Sequence, residues 1–207
     1  MTNNIKTIST ILFFGALWGI LEATIGHVLH FLPATIAGSI MFPIAGAILY
    51  KAHRRLNNRP ALIYVGLVAA LIKSVNFLMP SLSIYKTINP MIAIIMETAL
   101  VVIVITMLAS DRIQNQAGAA VIASIGWRVL FVSWMGLQYV LTGNLAPYLA
   151  NATAILEFVV LSGLISSVFL IGLRFVVDRW NWNTDRIYQP AVSLVLFVVA
   201  AILTYIL

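Results

Sequence analysis

The stretch PMIAIIMETALVVIVITMLA, residues 90–109, carries one ionisable side chain, Glu97, in twenty consecutive positions. At a rise of 1.5 Å per residue, a helix of that length covers about 30 Å, the thickness of the hydrocarbon core of a bilayer. Similar runs flank it on both sides, and hydropathy predicts spans at 8–31, 34–52, 61–79, 90–109, 117–141, 151–177 and 190–207. The remainder of the 207 residues suffices for short connections. With 62% hydrophobic residues, 9% charged residues and a mean hydropathy of +1.03, a water-soluble globule is excluded, since soluble domains carry about 25% charged residues. The expected fold is all-α, a polytopic transmembrane helical bundle of six to seven helices, with residues 1–207 forming a single integral membrane domain.

Two spans need comment. The second contains Pro43 between Gly38 and Gly46, which fits either a kinked helix or a partly re-entrant segment. The first starts like a signal peptide, with Lys6 ahead of an apolar run, but Glu22 interrupts the cleavage region and no A-x-A follows. It reads as an uncleaved helix.

Lysine and arginine placement sets the expected orientation. Lys51, Arg54, Arg55 and Arg59 fall between spans two and three, Arg112 follows span four, and Arg174, Arg179 and Arg186 surround the last connection. In an alternating chain all of these share one side with Lys6, while the opposite loops contribute only Lys86. The positive-inside rule then predicts an integral protein of the cytoplasmic membrane, amino terminus inside and carboxyl terminus outside. The formal charge of +6 is thus an orientation signal and forms no stripe for nucleic acid. Lys51, Arg54 and Arg55 also suit anionic lipid. The absence of cysteine excludes disulfides, thiolate metal sites and iron–sulfur clusters.

Charged side chains within hydrocarbon are costly and usually face a protein interior or a wet cavity. Here they are Glu22, Lys73, Glu97, Arg128 and Glu157. Glu22 lies about 13 Å before the end of its span, Lys73 and Glu97 about 10 Å and Glu157 about 9 Å from the ends of theirs. Four ionisable groups from four helices therefore share a layer in the outer half of the membrane. His27, His30, Asn76, Gln138, Asn144 and Asn151 lie at or above it. The layer predicts a polar, outward-opening cup, with Glu22, His27, His30, Lys73, Asn76, Glu97, Gln138 and Glu157 as substrate-binding candidates and Trp18, Trp134 and Tyr139 as stacking surface. The plainer reading is that Lys73 and Arg128 form structural ion pairs with two of the glutamates.

His27 and His30 are three positions apart, about 60° around a helix, and can reach one ion or merely meet the headgroups. Gly15, Gly19, Glu22 and Gly26 advance by four, three and four along one helical face, flanked by Ala16 and Ala23. Such a small-residue face packs closely against another helix, of this chain or of a partner. H-E-x-x-H, G-x-S-x-G, G-x-x-x-x-G-K-[ST] and G-x-G-x-x-G are all absent, so no enzymatic activity and no cofactor are expected.

GALWGILEATIGHVLHFLP at 15–33, AGSIMFPIAGAIL at 37–49 and NPMIAIIMETALVV at 89–102 together resemble the substrate-binding, or S, component of energy-coupling factor transporters. The resemblance covers the first half of the chain best. It implies an S-component-like helical fold, usually of six helices, with a substrate pocket near the outer face capped by the loops between helices one and two, three and four, and five and six. It also implies that the small-residue face, Gly15, Ala16, Gly19 and Ala23, docks a transmembrane coupling subunit driven by ATPases. Glycine at Gly15 and Gly19 replaces the alanines typical of that stripe, and a seventh span is a second departure.

The leading expectation is a substrate-capture subunit of an import system for a small polar or zwitterionic nutrient, such as a vitamin or its precursor. A carrier for metal ions or protons, using the intramembrane glutamates with His27 and His30, is the second. The third is a scaffold whose ionic layer fixes packing.

Overall fold

Backbone surrounded by lipid has no water to bond, so each apolar run must satisfy its own N–H and C=O groups and coils into a helix. The computed structural model describes residues 3–29, 31–80, 82–180 and 185–207. Among them, six helices are long and apolar enough to cross a membrane: α1 (Asn4–Leu29), α2 (Thr35–Leu56), α3 (Arg59–Leu78), α4 (Tyr85–Leu108), α5 (Ile113–Thr142) and α6 (Ala152–Arg179). A shorter apolar helix, α7 (Pro190–Ile206), follows.

The turns are local chemistry. Asn57 adopts the left-handed conformation that ends α2, and the Asn58 side chain accepts from the Ala61 N–H to start α3. Gly143, at φ 73°, ends α5 in a conformation that a side chain would strain.

Successive helices alternate in direction. In space α1, α3, α4, α5, α6 and α2 close a ring in which each packs on the next, with α2 also touching α4 and α7 laid outside against α1. Little hydrophobic force draws helices together in lipid, so close packing matters more. A Cβ on Gly15 would lie 2.5 Å from Val68 Cβ, and one on Gly19 2.7 Å from Ile72 Cδ1, so α1 and α3 meet at distances that only glycine allows. Large apolar side chains such as Ile103, Val168 and Phe169 remain exposed on the outside, as a lipid-facing surface requires.

The second span is neither re-entrant nor broken: α2 runs as one helix through Pro43. Proline leaves the carbonyl four residues back without its helical partner, here that of Ser39. The Ser166 hydroxyl of α6 donates to that carbonyl at 3.3 Å, while Ser166 itself accepts from Arg128 of α5 at 2.7 Å. A neighbouring helix thus repairs the gap, the usual condition for proline within a span.

One end of the bundle gathers most of the basic residues. There Arg174, buried, donates to Gln116 Oε1 at 3.0 Å and faces Asp178 at 3.7 Å, and the Tyr50 hydroxyl donates to Asp178 at 2.8 Å. Lys51 caps the carbonyls of Val177 and Trp180. These bonds lock α2, α5 and α6 together. Helix α7 runs parallel to α1: Ser193 donates to the Ser9 carbonyl at 2.8 Å toward the basic end, and Thr204 lines the same hollow as Glu22 and Lys73 at the other.

Candidate functional site

The end opposite the basic residues encloses a cavity of about 730 Å³. Every helix contributes to it. Glu22, Ala23 and His27 come from α1, Ala37, Gly38 and Met41 from α2, and Lys73 and Asn76 from α3. Tyr85, Lys86, Asn89, Pro90, Ala93 and Glu97 form one face of α4. Trp127 and Phe131 come from α5, Phe158 from α6 and Thr204 from α7, with Tyr148 added by the α5–α6 connection. Exposed Phe31 and Lys86 stand at its rim.

Helical regularity fails at three places around this cavity. Glu22–Gly26 is a wider π-helical turn, Glu157–Leu161 is a second, and α3 tightens to a 3₁₀ turn over Ser74–Leu78. Such irregularities re-aim side chains and recur at functional sites. At Gly26 a Cβ would meet the Glu22 carboxyl at 3.4 Å, so this glycine makes room for the acid and leaves the helix-packing face to Gly15 and Gly19.

The polar wall faces an aromatic one. Glu97 is only 6% exposed, and among the described residues neither it nor Glu22 accepts a hydrogen bond. No N···O contact within 4.0 Å joins Lys73 or Arg128 to Glu22, Glu97 or Glu157 among the described residues. Glu22 lies in the field of Lys73 and Glu97 in that of Arg128, so two of the expected pairs interact across space without touching. Arg128 is instead fully buried behind the cavity, donating to the Ser124 carbonyl at 2.8 Å and to Ser166, with its guanidinium 4.7 Å from the Trp127 ring centre and 5.7 Å from that of Phe158.

Across the cavity Tyr148 stacks on Phe158 with ring centres 4.8 Å apart, and Phe131 continues the surface 6.2 Å from Tyr148. Burial among these rings pushes the Tyr148 phenol up to about 12, so it offers an O–H and no charge at neutral pH. Two buried polar atoms of the lining, Asn76 Oδ1 and Trp127 Nε1, have no partner among the described residues.

Of the binding candidates, Glu22, His27, Lys73, Asn76 and Glu97 line this single cavity. Glu157 does not: it is exposed, because the π-helical turn it opens points its neighbour Phe158 inward. Gln138 is buried above Phe131 on the same face of α5 but lies outside the lining. His30 falls outside the described residues. Asn144 and Asn151 are exposed, and Asn151 caps α6 by accepting from the Ala154 N–H.

The stacking candidates were misplaced as well. Trp18 is fully buried in the core, Tyr139 is exposed, and Trp134 serves indirectly by donating to Asn89 Oδ1 at 3.0 Å. The rings that do line the cavity, Trp127, Phe131, Tyr148 and Phe158, were missed. The i, i+4 spacing of Trp127 and Phe131 was the available signal.

The docking stripe is corrected too. Gly15, Ala16, Gly19 and Ala23 are all buried within the chain, with Gly15 and Gly19 against α3, so the face is filled internally. Among the described residues no three His, Asp or Glu side chains gather as metal ligands would. No family model, curated protein or solved structure matches the chain.

Proposed function

We propose that this protein is the membrane-embedded capture subunit of an import system for a small polar or zwitterionic nutrient. The observation that carries the reading is the cavity itself: two carboxylates and an ammonium from three helices line one hollow of about 730 Å³ together with an aromatic wall. That volume suits one small molecule, and pockets of this kind combine apolar walls with a few placed polar groups. Glu97 is buried and Glu22 half-buried, neither accepts a hydrogen bond among the described residues, and a ligand that donates to them offsets the cost of that burial.

The positive-inside rule assigns the basic end to the cytoplasm and the cavity to the exterior, as capture requires. The resemblance to S components agrees with a helical ring carrying a pocket at one end. A coupling subunit and ATPases would then have to engage a surface other than the stripe of Gly15, Ala16, Gly19 and Ala23, which α3 and the core occupy.

The test is to purify the protein in mild detergent and identify any copurifying small molecule by mass spectrometry. We expect a stoichiometric polar compound that Glu97→Gln, still folded by its melting temperature, no longer retains. Equal retention by Glu97→Gln and Glu22→Gln rules out this cavity as the site.

A further inference from the structure

The chemistry of the lining narrows the ligand beyond "small and polar". On the capture reading, we infer that the ligand is a planar aromatic compound bearing a primary ammonium group, held by Glu22, Glu97 and Asn76 with its ring against Tyr148 and Phe131.

Charge decides the first half. Glu22 and Glu97 face the hollow from α1 and α4 and accept no hydrogen bond among the described residues. The Asn76 carbonyl oxygen, buried and lining the same hollow, is also without a partner. Three acceptors from three helices match the three N–H donors of a primary ammonium, whereas a quaternary ammonium has none to give. Of the cations nearby, Arg128 is engaged with Ser124 and Ser166 behind the wall and lines none of the cavity. Lys86 is exposed at the rim. Lys73 is therefore the one ammonium that lines the hollow at the depth of the two carboxylates among the described residues. Arg128 acts on Glu97 only through space and offers it no N–H, so the carboxylate oxygens remain open to a donor from a ligand.

The wall decides the second half. Tyr148 covers a face of Phe158, stacked within 19° of parallel, and Phe131 lies beside both. The half-buried rings of Tyr148 and Phe131 thus present the area that a ligand can cover, with Phe158 as their backing. A flat ring buries more area there than a saturated one and gains the stacking contribution. Arg128 already sits over the Trp127 and Phe158 rings and draws on their negative faces. The ligand's cation therefore goes to the carboxylates and its ring, not its charge, goes to the wall.

The test uses four probes on the purified full-length chain in detergent: 2-phenylethylamine, 3-phenylpropanoate, 2-cyclohexylethylamine and phenyltrimethylammonium, with binding read by ligand-observed NMR and by the rise in melting temperature. We expect 2-phenylethylamine to bind best. Glu97→Gln or Glu22→Gln should weaken it by about tenfold or more, and Phe131→Leu by about threefold. Lys73→Met, which removes a competing ammonium, should tighten it, an effect that general misfolding would not produce. Each variant's melting temperature without probe shows that it is folded.

Tighter binding of 3-phenylpropanoate, equal binding of the cyclohexyl amine, preference for the quaternary ion, or failure of all four to bind overturns the ligand class. If the carboxylate binds and needs Lys73, the capture reading stands while the class falls. If instead nothing copurifies and no probe binds or shifts the melting temperature, the capture reading falls with it.

Discussion

Arg128 shows how a buried charge is kept with no carboxylate in contact, Glu97 acting on it only through space. Its guanidinium donates to a carbonyl of its own helix and to Ser166, and its flat faces lie on Trp127 and Phe158. Ser166 in turn donates to the Ser39 carbonyl that Pro43 leaves free. One hydroxyl therefore serves a cation on α5 and a backbone gap on α2, and its removal should be felt at both. Ser166→Ala is expected to cost about 1–2 kcal/mol in an unfolding titration in detergent. In a Pro43→Ala background, the restored N–H of residue 43 serves the Ser39 carbonyl and the cost should shrink by about 0.5–1 kcal/mol. Strict additivity in that double-mutant cycle means that Ser166 and Pro43 are not linked. Arg128→Lys, which keeps the charge but loses the planar fork, should also destabilise by about 2 kcal/mol.

At the scale of elements, the contact between α1 and α3 is the one that glycine makes possible. Gly15→Ala would place its methyl against Val68 Cβ and the Val65 carbonyl, neither of which can swing away, and should destabilise the chain by about 1–3 kcal/mol. Val68→Ala should restore part of the loss. If Gly15→Ala instead leaves the melting temperature unchanged while abolishing a copurifying partner, the stripe is a docking face after all. The small-residue pattern was legible in the sequence, but its occupant was not, because Gly15 and Gly19 look the same whether the helix that covers them belongs to this chain or another.

The polar layer was legible in the same partial way. Rise per residue sets the height of a side chain, and that is why Glu22, Lys73 and Glu97 were brought together correctly. Rotation about the helix axis depends on packing and on the π-helical turns, neither of which hydropathy records, and it turned Glu157 away and Phe158 inward. The aromatic wall was hidden because Phe, Trp and Tyr occur on lipid faces, in the core and in the cavity alike. Exposed Tyr139 and fully buried Trp18 are as aromatic as Phe131 and Phe158.

For the whole molecule, alternation of helices fixes which ends lie together, and the fold class followed from the sequence because lipid leaves an apolar chain few alternatives to helices. What alternation alone does not decide is whether α7, at 17 residues, crosses the membrane with the others. About 25 Å of helix falls somewhat short of the hydrocarbon thickness, a mismatch that local thinning of the bilayer absorbs at modest cost. Its parallel course beside α1, bonded at Ser193 and reaching the cavity at Thr204, argues that it crosses and ends on the cavity side. The chain has no cysteine, so single cysteines report position without background. In intact cells a membrane-impermeant maleimide should label Lys86→Cys and Leu207→Cys, whereas Arg112→Cys should react only after permeabilisation. Reaction of Leu207→Cys only after permeabilisation, as for Arg112→Cys, would show that α7 turns back. Labelling of Arg112→Cys alone in intact cells would invert the molecule, leave the cavity facing the cytoplasm, and remove the reason to read it as a site of capture from outside.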